Sequence, residues 1–190
     1  MLSYVNQLVS ILHKHSEQTQ PIDIVKYFEF TTSDIISDFC FAESYGQLKS
    51  GEQEPAIKGM HQFIPLESKL SAISFSLRMV LILQILGINQ MKVLSRAQEQ
   101  VKRRLEMAAD QKDLMNRVIG HISEDGDGMS LDELGHNAMV LMLAGSETTA
   151  TALAGSIFYL LQNQVVLGKL TKEIRDSFKS NDDITMAKVC

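Results

Sequence analysis

The chain is 190 residues long, and 45% of its residues are hydrophobic while 22% are charged. That is enough apolar material to bury a core, so the composition predicts one globular unit over residues 1–190 and excludes a disordered chain. The net charge of −5 and the pI near 5.5 exclude a nucleic-acid binder that relies on a general basic field. Two cysteines, Cys40 and Cys190, have no metal-ligand spacing, so no metal site is predicted.

The first half of the chain predicts helices joined by short connections. No proline follows Pro65, as long uninterrupted helices require. Apolar residues recur at helical spacing near the N-terminus and again from Ile24 to about Phe41, whereas residues 42–54, with two glycines and four charges, predict a connection. Residues 70–88 are strongly apolar but contain an arginine and several serines, which favours a core or interfacial helix over a membrane span.

Further helices are predicted on both sides of a turn. A narrow apolar stripe over residues 94–108 predicts a helix, and we interpret the basic cluster at residues 102–104 (KRR) as part of its solvated face. Residues 114–122 predict a helix that ends near a turn at residues 125–128 (DGDG), which lacks the later ligands of a calcium loop. The last predicted helix covers residues 167–178.

A long helix is predicted between these segments, over about residues 130–161. Ser130 and Glu133 form a capping box, in which the serine accepts from a first-turn N–H and the glutamate reaches back. Between Asn137 and Leu161 the only formally charged side chain is Glu147. Because a helix this apolar is expected to be buried, the carboxylate needs a partner or a function to offset its desolvation.

Small residues near Glu147 leave the backbone of this helix uncovered on one face. Val140, Ala144 and Thr148 lie four apart and share that face, with Gly145 adjacent, so a flat cofactor can approach closely. A threonine at this position can donate back to the Ala144 carbonyl, which bends a helix and opens a groove for water or a diatomic ligand.

Residues 144–149 (AGSETT) resemble the (Ala/Gly)-Gly-x-(Asp/Glu)-Thr-Thr signature of the cytochrome P450 family, which lies on the long central helix of that fold. Residues 130–134 and 169–175 resemble the corresponding segments of fungal microsomal members, and the likeness is clear from about residue 129 to 185. The resemblance implies a mainly α fold that is a portion of the P450 fold. It also implies a monooxygenase of fungal secondary metabolism that uses haem (heme b) and dioxygen to oxidise a small apolar organic substrate.

The resemblance assigns roles to individual residues. Thr148 is implied to hydrogen-bond the activated oxygen and Glu147 to pass protons inward through water, which makes these two the catalytic candidates. Ala144, Gly145 and Thr148 are implied to contact the haem, and Val140 and Ala144 to border the substrate. A flavoprotein reductase is the implied electron donor, at the endoplasmic reticulum membrane.

Two further family patterns do not occur in the 190 residues: the Phe-x-x-Gly-x-Arg-x-Cys-x-Gly loop, which supplies the axial cysteine ligand, and the Glu-x-x-Arg pair. In the family both lie downstream of the segments matched here, and Cys190 has no such loop around it. We therefore expect an interior portion of a family member, a single partial domain that is inactive alone. Lacking the membrane anchor, such a chain would be cytoplasmic.

Other interpretations of the same residues remain open. Residues 144–149 also suit a small-residue packing surface with a satisfied buried glutamate. A bilayer span would have to accommodate several hydroxyl groups as well as Glu147. For the whole chain, the alternative is a non-catalytic helical protein that binds a partner or itself through exposed apolar surfaces.

Overall fold

The computed structural model describes residues 1–19, 21–55, 57–58, 95–96, 98–107, 113–119, 129–180, 183–185 and 188. Within these ranges every regular element is a helix, which confirms the mainly α prediction. The helices used below are, in chain order, α1 (Leu2–Glu17), α2 (Ile24–Phe41), α3 (Gln47–Ser50), α4 (98–106), α5 (Leu114–Ile119), α6 (Leu131–Gln162) and α7 (Gln164–Ser177).

Two compact units make up the chain, Met1–Thr151 and Ala152–Cys190. The expected single domain over residues 1–190 stays a prediction. The predicted helix at residues 70–88 and the turn at residues 125–128 lie outside the described residues.

The core of the first unit forms where α2, α4, α5 and α6 meet. Its buried residues are Cys40, Phe41, Val101, Met115, Leu134, Ala138 and Met142. Helix α6 contributes every fourth residue to this core, and residues four apart share a face of an α-helix. Cys40 behaves as a small buried hydrophobe with 1% exposure, and burial raises the pKa of its thiol to about 11.

A buried carboxylate on α2 organises the short helix α3. Asp34 is 1% exposed, its Oδ1 accepts from the Gln47 N–H at 3.0 Å, and its Oδ2 accepts from the Leu48 N–H at 3.0 Å. N–H groups in the first turn of a helix have no partner within the helix, so Asp34 satisfies two of them. The predicted connection over residues 42–54 therefore contains one helical turn, and the group that stabilises it lies in the preceding helix.

The solvated interpretation of the basic cluster at residues 102–104 is wrong for Arg104. Its side chain is fully buried, and its Nε donates to Asp113 Oδ2 at 2.5 Å. Arg104 lies three residues after Val101 and therefore shares the face of α4 that packs into the core. Its neighbour Arg103 is partly exposed and donates to Glu43 Oε2 at 3.0 Å.

The capping box at the start of α6 is confirmed. The Ser130 N–H donates to Glu133 Oε2 at 2.9 Å, and the Glu133 N–H donates to Ser130 Oγ at 3.3 Å. The bond from the Ser130 N–H, followed by the one from its hydroxyl, lowers the pKa of Glu133. Helix α6 runs over Leu131–Gln162, within one residue of the predicted bounds at each end.

Replacing Ser130 with alanine is expected to loosen the first turn of α6, because the Glu133 N–H loses its acceptor. The folded-state pKa of Glu133 lies below its ordinary value of 4.5. The carboxylate's contribution to the stability of the first turn is therefore present at pH values above 4.5 and is lost as pH falls through the folded-state pKa.

Amide exchange at residues 131–134, corrected for intrinsic rates, should rise in Ser130→Ala at neutral pH. The parent should lose protection on acidification, and Glu133→Gln should not. Unchanged exchange in Ser130→Ala would contradict the cap.

Asn163 separates α6 from α7, and its Oδ1 accepts from the Val166 N–H at 3.3 Å. Among the described helices, none is by itself both long and apolar enough to cross a membrane. Residues Asp132–Gln162 and Gln164–Ser177 meet the length and composition test only as a pair, across a break bent by 113°.

Candidate functional site

One face of α6 is exposed along residues 140–148. Val140 is 58% exposed, and Ala144 and Thr148, one and two turns later, are exposed as well. The three side chains share a face, as their spacing predicts. Since Ala144 has only a methyl group, the backbone of this turn is open to a neighbouring group.

The predicted hydrogen bond within this face is present. Thr148 Oγ1 donates to the carbonyl oxygen of Ala144 at 2.7 Å. A hydroxyl has one proton and two lone pairs, so with this proton committed to the carbonyl the oxygen is free to accept. Thr148 is therefore held as an oriented acceptor on the exposed face.

The other side of the same turn packs against α2. Ser146 is 6% exposed and Ala150 is 2% exposed, and they continue the buried stripe of α6. At Gly145 an added Cβ would lie 2.7 Å from Cγ1 and 2.8 Å from Cδ1 of Ile36. Gly145 thus permits close approach of α2, and its predicted contact with a cofactor stays a prediction.

Glu147 lies between the exposed and the packed faces. Its side chain is half-buried, and it interacts with other groups of the protein. The carboxylate is therefore not fully desolvated, and the expected burial of the whole helix does not hold for residues 140–148. A half-buried carboxylate is within reach of solvent, as a group that passes protons must be.

Gly145→Ala is expected to destabilise the chain, because the new methyl group would overlap Ile36. Overpacking of a well-packed site costs about 1–3 kcal/mol, which exceeds the gain of about 1 kcal/mol that alanine brings to a helix interior. Gly155→Ala, also in α6, is the matched control, since no described atom lies within 4 Å of its added Cβ. Urea unfolding should rank Gly155→Ala at or above the parent and Gly145→Ala below it. Equal free energies of unfolding for the two variants would contradict the close packing.

Neighbouring segments hold α6 through contacts that no local sequence pattern predicted. Thr32 Oγ1 on α2 lies 2.9 Å from the carbonyl oxygen of Ser146. The Tyr45 hydroxyl donates to Gln100 Oε1 at 2.8 Å and lies 3.1 Å from Met142 Sδ. Burial, followed by the nearby charge of Glu54, raises the pKa of Tyr45 above its ordinary range. The available signal was the pair of threonines at residues 31–32, two hydroxyl groups in a helix that was expected to pack through its apolar residues.

Donor atoms for a metal are not clustered in the part of the chain that the structure describes. There, no group of three or more His, Cys, Asp or Glu side chains is placed to hold a metal ion. The candidate site therefore consists of the Thr148 hydroxyl, the Glu147 carboxylate and the open backbone at Ala144.

Comparison with known proteins identifies the family. Residues 1–189 match the sequence model of the family described as Cytochrome P450. The chain belongs to the cytochrome P450 family. That residues 144–149 (AGSETT) are the signature segment of this family stays a prediction.

Several curated relatives of this P450 chain are fungal. It is 36% identical to Cytochrome P450 monooxygenase aclL of Aspergillus oryzae, over 96% of this chain and 38% of that protein. It is 33% identical to the Trichothecene C-15 hydroxylase of Fusarium sporotrichioides, over 97% of this chain and 39% of that protein. It is 35% identical to the Versicolorin B desaturase of Aspergillus parasiticus, over 100% of this chain and 39% of that protein. The chain therefore spans about two fifths of the length of these relatives.

Solved structures support the fold. The crystal structure of the cytochrome P450DA heme domain matches 100% of this chain and 41% of that chain, with a TM-score of 0.77 and 19% identity. The helical arrangement is thus a portion of the P450 fold, which confirms the predicted fold class.

Proposed function

We propose that this chain is the oxygen-handling portion of a cytochrome P450 monooxygenase that oxidises a small apolar organic molecule with dioxygen. One observation carries the proposal: Thr148 Oγ1 is bonded to the Ala144 carbonyl on the exposed face of α6, within the family signature. Curated relatives named as a hydroxylase, a desaturase and monooxygenases support oxidation of organic molecules in fungal secondary metabolism.

The residues on this face fit a haem group. Ala144 and Thr148 have short side chains and are exposed one turn apart, so a flat macrocycle can lie against the helix there. We assign the haem contact to Ala144, Gly145 and Thr148, and the border of the substrate to Val140 and Ala144. When bound through a cysteine thiolate, the haem iron supplies the activation of dioxygen.

Thr148 on this face and Glu147 at its border handle protons. Since the Thr148 proton is donated to the Ala144 carbonyl, Oγ1 accepts a hydrogen bond and so orients a protonated oxygen or a water molecule. Glu147, which is half-buried and so within reach of solvent, takes up a proton and releases it to a water molecule. Glu147 thus supplies the proton, and Thr148 orients the protonated oxygen or the water molecule.

We also propose that the chain is an interior portion of a longer P450. It spans 38% of one relative and 39% of two others, and neither the cysteine loop nor the Glu-x-x-Arg pair occurs in it. The longer protein would carry both, receive electrons from a flavoprotein reductase at the endoplasmic reticulum membrane, and be active where the 190 residues alone are not. Full-length transcripts should continue in frame through both patterns. A stop codon directly after Cys190 in all transcripts would contradict this proposal.

Labelled dioxygen tests the proposed reaction. The protein containing residues 1–190 would be produced with haem and a fungal reductase, and incubated with a library of small apolar compounds under isotopically heavy dioxygen. A monooxygenase should form a product that carries one heavy oxygen atom, and only when reductant is present. A haem-loaded, reducible protein that leaves the whole library unmodified while consuming dioxygen would count against the proposal, as would a protein that takes up no haem.

The exposed apolar face of α6 also favours a second candidate, a non-catalytic helical protein that self-associates or binds a partner. Val140 is 58% exposed on this face, and Leu141, about 100° around the helix axis, is 42% exposed. Exposed apolar surfaces of this kind mark contact sites. This candidate predicts concentration-dependent association of the 190-residue chain, which Val140→Glu should weaken, and no haem uptake by any longer form. Haem uptake by a longer form would exclude it.

A further inference from the structure

We propose that Thr32, on α2, is a positioning residue for the segment of α6 that carries Glu147 and Thr148. The effect of Thr32 on oxygen chemistry rests on the proposed function, whereas the contact between Thr32 and Ser146 does not. The interaction joins residues that are 114 positions apart in the sequence.

Three carbonyl oxygens lie within hydrogen-bonding distance of the Thr32 hydroxyl. Its Oγ1 lies 2.9 Å from Ser146 O, 3.0 Å from Phe28 O and 3.2 Å from Glu29 O, and the residue is 6% exposed. A hydroxyl supplies one proton, so it cannot serve all three acceptors fully. The shortest distance is to α6, and that bond is the one that links two helices.

The carbonyl of Ser146, which accepts this bond, lies in the turn of α6 that carries Glu147 and Thr148. Ser146 O ordinarily accepts the helical N–H four residues later, that of Ala150, and a hydroxyl adds a second donor. Ser146 immediately precedes Glu147, and two residues later Thr148 binds the Ala144 carbonyl on the exposed side. Two hydroxyls thus hold alternate carbonyls of one turn, Thr32 from the packed side and Thr148 from the exposed side.

Steric contact and this hydrogen bond act together. Ile36, one turn after Thr32 on α2, fills the space against Gly145. Ile36 limits how closely the helices approach, and the Thr32 bond keeps α6 from moving away or rotating. The position at which α6 presents Thr148 Oγ1 is therefore determined by α2.

Thr31 provides a matched control on the same helix. It is 4% exposed, and its Oγ1 donates to the Tyr27 carbonyl at 2.7 Å within α2. Thr31→Val and Thr32→Val each remove one buried hydroxyl and keep the shape of the side chain. Only Thr32→Val removes a bond to α6, so a difference between the variants isolates the positioning role from general stability.

The first measurement is amide hydrogen exchange of the 190-residue chain without cofactor. Loss of one hydrogen bond to Ser146 O should speed exchange of the Ala150 amide by about tenfold in Thr32→Val relative to Thr31→Val. Thr32→Ser keeps the hydroxyl and should exchange like the parent. Equal Ala150 exchange in Thr32→Val and Thr31→Val would overturn the proposal.

The second measurement uses the haem-loaded protein and records hydrogen peroxide released per reductant consumed. This ratio should rise about threefold or more in Thr32→Val, since proton delivery depends on geometry, and should stay at the parent value in Thr31→Val and Thr32→Ser. Faster Ala150 exchange with an unchanged ratio would overturn the link to oxygen chemistry. A parent protein that binds no haem would overturn the proposed function, while the exchange comparison would still decide the contact.

Discussion

Replacing Thr148 with alanine in the haem-loaded protein is expected to divert most of the consumed reductant into hydrogen peroxide. The variant loses the Oγ1 atom that is held by the Ala144 carbonyl and presented on the exposed face of α6. Positioned groups contribute about a hundredfold or more to a proton-transfer step. A water molecule in place of the lost hydroxyl supplies part of this contribution, so the product formed per dioxygen consumed should fall by about tenfold.

Neighbouring positions supply the controls for this result. Thr148→Ser keeps a hydroxyl that can donate to Ala144 and should retain most of the coupling. Thr149→Ala removes an exposed hydroxyl from the next position of the helix, about 100° around its axis, and should couple like the parent. If Thr148→Ala and Thr149→Ala formed product with the same yield per dioxygen, Thr148 would not have the role assigned to it.

Arg104→Met is expected to destabilise the first unit by about 3–5 kcal/mol, the usual effect of removing one partner from a buried ion pair. The Arg104 side chain is 0% exposed and that of Asp113 is 3% exposed. The carboxylate cannot turn to solvent freely, since Asp113 Oδ1 also accepts the Asn116 N–H at 2.7 Å at the start of α5. The variant therefore leaves a buried negative charge without its cation.

Arg103→Met is the matched control, because Arg103 precedes Arg104 and forms an ion pair with Glu43 whose side chains are 37% and 36% exposed. Solvent screens that pair, so the loss should stay below about 1 kcal/mol. Urea unfolding of both variants measures the difference. Adding Asp113→Asn to Arg104→Met should recover part of the loss, because no charge stays buried while the amide oxygen still caps α5. Equal losses for Arg103→Met and Arg104→Met would contradict the buried pair.

The parts of the fold that depend on near neighbours in the sequence were predictable. Apolar residues recurring at helical spacing predicted α2, and a capping box at Ser130 followed by a long apolar stretch predicted α6. The bond from Thr148 to Ala144 spans one helical turn, so spacing alone indicated it. The roles of Thr148 and Glu147 at a haem site, which the resemblance of residues 144–149 implied, stay predictions.

The remaining contacts depend on how distant segments meet. The sequence alone indicates a solvated charge at Arg104, because nothing near it in the chain shows that Asp113 lies beside it. It likewise gives no partner for Asp34, whose carboxylate accepts from N–H groups of α3. Thr32 and Ser146 are 114 residues apart, and no local pattern pairs them. Each case is a buried polar group whose partner lies on another element, and hydrophobic periodicity carries no information about such pairs.

The carbon monoxide difference spectrum tests most directly whether α6 forms the oxygen side of a haem-thiolate centre. The protein that contains residues 1–190, reduced and exposed to carbon monoxide, should show the red-shifted Soret band that a thiolate ligand causes. Thr148→Ala should keep this band, since the proposed role of Thr148 does not include binding the iron. A reduced protein that shows no haem absorption, or a haem spectrum without the shifted band, would contradict the claim.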